Sequence, residues 1–267
     1  VVYQSDLTVL RAALVSLLAA IANARADHWL EATRIDLIHN SPPSAPFSAL
    51  VAEVSALAQA AAVDLQLLEG HGNVGYGRGH NLSISAARAD VHLVLNPDVL
   101  LTADCLSQGL QYLQTHAEVV GLSPALTDAE GHKQYGCKRY PTVLDFVLRG
   151  FAPGAVKALF RRRLAHYEMQ DLPADTPTAG VPIISGCFML LRTPALQAAG
   201  GFDARYFLYF EDFDLSLRMQ TQGSLAYLPS MHVVHLGGHS ARKGWHHIRL
   251  FVRSGILFYN THGWRFF

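Results

Sequence analysis

The sequence predicts an α/β domain: a mostly parallel central sheet flanked by helices, followed by a C-terminal helical tail. Three observations predict it. In the first half, short apolar runs alternate with stretches whose apolar residues recur at helical spacing, the pattern of strand–helix–strand units. Turn-forming residues close two of the runs, at Asn40-Ser41-Pro42-Pro43 and Asn96-Pro97-Asp98, where open α/β sheets place ligands. Half of the 267 residues are apolar, enough for one large core.

Each element follows from local pattern. Val1–Tyr3 reads as the end of a buried strand. Ser5 or Asp6 then caps a helix carrying Leu7, Leu10, Leu14, Leu17, Leu18 and Ile21 at helical spacing. Arg34–His39 is a second strand, and Leu50, Val54, Leu57 and Ala61 mark one face of a second helix. Asp64–Leu68 is a third strand, followed by a glycine-rich loop over 70–79 and a helix from about Asn81 to Arg88. Val91–Leu95 is a fourth strand. Thr102 caps a helix with Leu106, Leu110 and Leu113 inward. Residues 130–180, with Pro, Gly and clustered Arg, read as a mobile excursion over the site. Gly186–Arg192 is a strand, Thr193-Pro194 starts a short helix, and Ala226–Leu228 and Val233–His235 return to the sheet. The parse is one domain over 1–240 and a basic, aromatic tail over 241–267.

Composition narrows the function. The 21 basic and 21 acidic residues balance, which argues against a general nucleic-acid binder. No acid follows Asp214, whereas Arg218, Arg242, Lys243, Arg249, Arg253 and Arg265 do, so the C-terminal part expects an anionic partner. Leu7–Ile21 is interrupted by Arg11, and no apolar run reaches the roughly 18–20 uncharged residues of a membrane span. Cys105, Cys137 and Cys187 lack metal or disulfide spacing and read as reduced thiols of a cytoplasmic protein.

The chemistry concentrates at 200–218. Glu211, Asp212 and Asp214 end an aromatic run, Phe207, Tyr209 and Phe210, and carboxylates there lose water unless a partner or a function compensates. Phe213 and Leu217 continue as a helix, with Asp214 and Arg218 spaced to pair along it, so Glu211 and Asp212 fall at its positive N-terminal end. A single acid there would be an ordinary cap; a doublet plus a third acid behind Gly200-Gly201 points to an active-site edge. Asn96-Pro97-Asp98 ends an apolar strand and puts Asp98 at the sheet's carboxyl edge, although a plain turn has the same composition. His235 ends the last apolar strand ahead of Gly237-Gly238. The loop Asn73-Val74-Gly75-Tyr76-Gly77-Arg78-Gly79-His80-Asn81 is neither a P-loop, since no Gly-Lys-Ser/Thr follows, nor a dinucleotide fingerprint.

Taken together, these segments resemble family 2 inverting glycosyltransferases, which have a GT-A fold. The resemblance runs from Tyr3-Gln4-Ser5 through Asn73–Asn81 and Leu95-Asn96-Pro97-Asp98 to the Glu211-Asp212 pair and His235-Leu236-Gly237-Gly238. It implies that Asp212 is the catalytic base, with Glu211 beside it. It implies that Asp98 is the main carboxylate on a divalent cation, Mg²⁺ or Mn²⁺, with Asn96 in place of the family's first acid and His235 completing the coordination. The nucleotide-sugar contacts implied are Tyr3, Ser5, His39, Asn40, Asn73, Gly75, Arg78, Asn81 and Asn96. His39 stands where the family carries an acid that reads a pyrimidine, so the imidazole or the Asn40 amide would accept that bond. Leu95-Asn96-Pro97-Asp98, Gly186–Arg192 and Phe207–Asp212 are similar to the bacterial rhamnosyltransferase branch. The activity implied is metal-dependent, inverting transfer from a nucleotide-diphosphate sugar, with dTDP-rhamnose a candidate donor, to a hydroxyl of a glycan or lipid-linked acceptor.

Two rivals stand beside it. A sugar nucleotidyltransferase would show glycines after its first strand, and none precedes Gly70. A catalytically decayed nucleotide-sugar-binding module would explain Asn96 and His39 but not the retained acids. The tail combines Arg249 and Arg253 with Trp245, Ile248, Phe251 and Phe258, so it is expected either to lie peripherally on an anionic membrane surface or to pack back on the domain. The basic runs around 138–163 extend that expectation to the excursion.

Overall fold

The computed structural model describes residues 1–237 and 244–267. The expected boundary at 240/241, and Gly238, Arg242 and Lys243 with it, lie outside the described residues. Val2 makes an isolated parallel bridge to His39. Asp6, not Ser5, caps α1 (Leu7–Ala26), accepting the Thr8 N–H at 2.8 Å. By length and composition α1 is apolar enough to cross a membrane despite Arg11, but Leu10, Leu14, Leu17, Leu18 and Ile21 are buried in the main core. β1 (Arg34–Ile38) leads to α2 (Ala45–Ala60), which buries Phe47, Leu50, Val54 and Ala58 and leaves Leu57 outside. β2 (Asp64–Leu68) pairs in parallel with β1, Arg34 opposite Asp64.

α3 (Tyr76–Ile84) starts a turn earlier than expected. β3 (Val91–Leu95) and the short β4 (Val99–Leu101) flank Asn96-Pro97-Asp98, and α4 (Cys105–Thr115) follows. β5 (Val119–Thr127) is a central strand that the sequence reading passed over, because Gly121 and Pro124 punctuate it. Gly121 is required by packing: a Cβ there would lie 2.6 Å from Leu191 Cδ2 and 2.8 Å from Leu225 Cδ2.

The excursion folds into β6 (Lys133–Gln134), β7 (Cys137–Lys138), α5 (Val143–Phe151), α6 (Gly154–Leu159), α7 (Arg161–Tyr167) and β8 (Thr178–Ala179). Thr142 and Asp145 form a capping box at the start of α5, and Arg163 binds Asp145 at 2.7 Å. β9 (Ile183–Ile184) pairs with β7, and β10 (Phe188–Arg192) precedes α8 (Thr193–Ala198). α9 (Glu211–Met219) carries the acids. β11 (Ser224–His235) is one strand, where the sequence suggested two, with a register shift between Leu228 and His232. α10 (Trp245–His262) closes the chain.

The fold class stands, but the sheet is mixed rather than mostly parallel. Its order is β3-β10-β5-β11-β4, and of these pairings only β5–β11 is parallel. The reason is β10: it follows the excursion rather than a crossover helix and inserts antiparallel between β3 and β5. One core lies beneath α1, α2 and α4, and a second holds Leu196, Phe202, Leu215 and Met219 from the α8–α9 side. A third, aromatic cluster joins Tyr206 and Phe210 to Phe258 and Tyr259 of α10. The docked face settles one half of the expectation for the tail: α10 packs on the domain.

Candidate active site

The glycine-rich loop and the aromatic segment before α9 are built against each other. Gly75 has φ 91°, and a Cβ there would meet the Phe207 carbonyl oxygen at 2.5 Å, so only glycine fits. Tyr76 donates its N–H to that same carbonyl at 3.0 Å. Asn73 Oδ1 accepts the Gly75 N–H at 3.1 Å, and Asn40 Nδ2 donates to the Gly75 carbonyl at 3.0 Å while its Oδ1 lies 2.9 Å from His71 Nε2. Arg78 Nε donates to the Ala204 carbonyl at 2.6 Å, and Asn81 bonds reciprocally with the Phe202 backbone. Asn40, Asn73, Gly75, Arg78 and Asn81, all expected at the nucleotide, are thus brought together as a brace for the acidic segment.

His39 is buried, its ring stacked on Phe47 at 3.7 Å with Nδ1 3.5 Å from Glu69 Oε2. Tyr3 is exposed at the same sheet edge, and the next residue, Gln4, donates its N–H to Ser41 Oγ at 2.7 Å. Ser5 is half-buried there.

Tyr209 and Phe210 both occupy the left-handed region, with φ 71° and 65°, which is costly for aromatic side chains. Packing enforces it: the Phe210 ring lies 5.0–5.3 Å from Phe146, Phe251 and Phe258. The sharp turn sets Glu211 and Asp212 at the start of α9. Asp212 Oδ2 accepts the Gly186 N–H at 2.9 Å, and its Oδ1 accepts the Phe213 N–H at 3.0 Å. Gly186 is itself held by Tyr76, whose hydroxyl donates to its carbonyl at 2.7 Å, and a Cβ on Gly186 would stand 3.1 Å from Asp212 Cβ.

Burial raises both carboxyl groups. Glu211 is pushed up to about 8 by desolvation and by the Asp212 charge, and its Oε2 makes no hydrogen bond. Desolvation also raises Asp212, but the Gly186 and Phe213 N–H groups and the charge of Lys138 oppose it. At neutral pH Glu211 therefore keeps its proton, and Asp212 is the acid of the pair whose charge the surroundings favour. Desolvation holds Asp212 above an ordinary carboxylate, which strengthens it as a base. The two acids line a cleft of about 200 Å³ with Phe146, Arg149, Tyr209 and Phe251.

Across the sheet edge, His235 and Asp98 meet: Nε2 lies 3.6 Å from Asp98 Oδ1. The Gln134 amide donates to the His235 carbonyl at 3.3 Å, so its oxygen, 3.1 Å from Nδ1, accepts a proton there. That bond leaves Nε2 as the ring nitrogen turned to Asp98, where a neutral imidazole could serve a cation as ligand beside the carboxylate. An imidazole and a carboxylate fit a divalent ion of the Mn²⁺ or Mg²⁺ kind. Asn96 is half-buried beside them, its N–H bonded to the Cys187 carbonyl at 2.9 Å. Asp128, Glu130 and His132 also cluster at the β5–β6 turn, but Asp128 Oδ1 accepting the Glu130 and His132 N–H groups accounts for that proximity.

The sequence reading missed several of these residues. Lys138 belongs to the basic run expected on an anionic surface, yet β7–β9 pairing leaves it half-buried, and desolvation lowers it to about 8. Tyr76, Gly186 and Gln134 act through backbone or long-range contacts that leave no local pattern.

A family model described as glycosyltransferase-like family 2 matches residues 48–253. The chain belongs to glycosyltransferase family 2. It is 30% identical over 178 residues to rhamnosyltransferase WbbL of Escherichia coli K12, covering 62% of this chain and 63% of that one. It is 29% identical over 211 residues to an N-acetylglucosaminyl-diphospho-decaprenol L-rhamnosyltransferase of Mycobacterium tuberculosis, covering 73% of this chain and 66% of that one. The chain thus spans just under two thirds of the length of these relatives. Crystal structures of GalNAc-T7 with UDP, GalNAc and Mn²⁺ (13% identity, TM-score 0.53, 76% of this chain and 37% of that one) and of S. aureus TarS (12%, 0.50, 85% and 35%) share the GT-A fold. In this family 2 chain the charges of Asp212 and Asp98 both reach the Tyr76 hydroxyl and the Cys187 thiol, which burial already raises.

Proposed function

We propose that this family 2 chain carries the catalytic site of an inverting, metal-dependent rhamnosyltransferase. The reading takes dTDP-rhamnose as donor and the hydroxyl of a lipid-linked glycan as acceptor. One observation carries it: a half-buried Asp212, aimed by two backbone N–H groups at the head of α9 and facing a cleft. Asp212 takes the proton of the acceptor hydroxyl as that oxygen bonds to the anomeric carbon. The bond from that carbon to the donor's diphosphate breaks on the opposite face, and the electron pair leaves with the phosphate. Glu211, protonated, adds no second charge to compete for the proton. A divalent ion held by Asp98 and His235 would supply charge neutralisation to the leaving diphosphate. The rhamnosyl and lipid-linked assignments rest on the names of the two relatives, and Tyr3 and the 39–41 edge are the proposed base-reading side.

The outer face of α10 supports a peripheral place on an anionic membrane. Trp245 is 85% exposed, Val252 48% and Ile256 47%, and with Ile248, Arg249 and Arg253 they line a groove of about 450 Å³. The transferase reading is tested by incubating the protein with Mn²⁺, dTDP-rhamnose or UDP-sugars, and prenyl-diphosphate-linked N-acetylglucosamine. Sugar transfer that needs dTDP-rhamnose supports it, and transfer from UDP-sugars alone overturns the donor assignment.

A further inference from the structure

On the transferase reading, the acceptor hydroxyl reaches Asp212 through the aromatic cleft, and the cleft walls describe the rest of the acceptor. Phe146, Tyr209, Phe213 and Phe251 offer ring faces on which the apolar side of a sugar stacks. Beyond them stands Arg149, on the last turn of α5. Its guanidinium lies 5.8 Å over the Tyr167 ring, and the Lys138 ammonium lies 6.0 Å over the same ring. Among the described residues Arg149 pairs with Glu168, 3.3 Å from its Nε, and the Lys138 charge reaches Asp212 at the foot of the cleft. Lys138 donates to the Tyr135 carbonyl at 2.5 Å and forms no ion pair among the described residues. The same pair of helices exposes apolar side chains, Val147 on α5 and Val156 and Leu159 on α6.

We propose that Arg149, backed by Lys138, is the phosphate subsite for the diphosphate of a lipid-linked acceptor. Base, aromatic walls, cation pair and exposed apolar surface then answer the hydroxyl, sugar, diphosphate and lipid chain of such a molecule. The guanidinium suits the role, since its fork binds phosphate oxygens in pairs. Glu168 holds Arg149 in place until the anion arrives.

Calorimetry with farnesyl diphosphate, farnesol and dTDP, each with Mn²⁺, tests the subsite without requiring turnover. The wild-type protein binds farnesyl diphosphate and not farnesol. Arg149→Gln weakens that binding at least about tenfold, and Arg149→Lys, which keeps the charge and serves as the folding control, weakens it less. Affinity for dTDP stays unchanged in both. Equal farnesyl diphosphate affinity for wild type and Arg149→Gln overturns the proposal, as does failure of the wild type to bind it. A loss of dTDP affinity in Arg149→Gln overturns it too, because the cations would then serve the donor. None of these outcomes touches the transferase reading, which stands or falls on sugar transfer.

Discussion

Glu211 sits far above the ordinary carboxyl range, and the consequence is a pH dependence of stability. Its carboxyl moves from 4.5 when unperturbed to about 8 in the fold. The folded state therefore binds the extra proton between these values, so stability is full below about 4.5 and is lost as pH rises through about 8. Glu211→Gln removes that slope and is expected to melt higher than wild type at pH 8.5 while matching it at pH 4.5. Thermal melts across this range check it, and parallel wild-type and variant curves would refute the assignment of the proton. At the other acid, Asp98→Ala is expected to abolish the Mn²⁺ dependence of nucleotide binding, and His235→Ala to weaken it less, as read by calorimetry. Asp98, His235 and the acidic pair were legible because each ends an apolar run with a residue that run does not explain. The left-handed Tyr209 and Phe210, and the half-buried, desolvated Lys138, were not: their state is set by packing against α10, α5 and β9, far away in sequence.

At the scale of elements, two devices hold the site. The first is the contact of the Gly75 loop with Phe207. Gly75→Ala places a methyl group 2.5 Å from a backbone carbonyl at a φ that favours glycine, and should cost on the order of 2 kcal/mol or more, measured by urea unfolding. The second is the docking of α10. Asp214 is buried between Arg218, at 2.7 Å, and His262 of α10, at 2.8 Å. Ser254 adds a bond to the Leu208 carbonyl at 2.8 Å. Removing the charge with Asp214→Asn leaves Arg218 and His262 without their carboxylate, and should destabilise the protein by about 3 kcal/mol. Hydrogen exchange should show the loss first in α10. Most helices could be read from apolar spacing and caps, because those are local. β5 and the antiparallel placement of β10 could not, since a punctuated strand gives no alternation and strand partners are tertiary facts.

For the whole molecule, the proposal assigns the donor's metal to Asp98 and the base to Asp212, which lines an aromatic cleft with Phe251 of α10. The exposed stripe on α10 predicts binding to vesicles containing anionic lipid, weakened by salt and by changing Arg249 and Arg253 to Glu. Sedimentation decides it: protein left in the supernatant at low salt whatever the lipid charge gives that face another use. The most direct test of the central claim is the anomeric configuration of the transfer product, followed by NMR for wild type and Asp212→Asn. Inversion relative to the donor in the wild type is expected. With it, the Asp212→Asn rate should fall at least about a hundredfold in a protein that melts like the parent and still binds donor. Retained configuration, or near-normal turnover by the variant, would contradict Asp212 as the base.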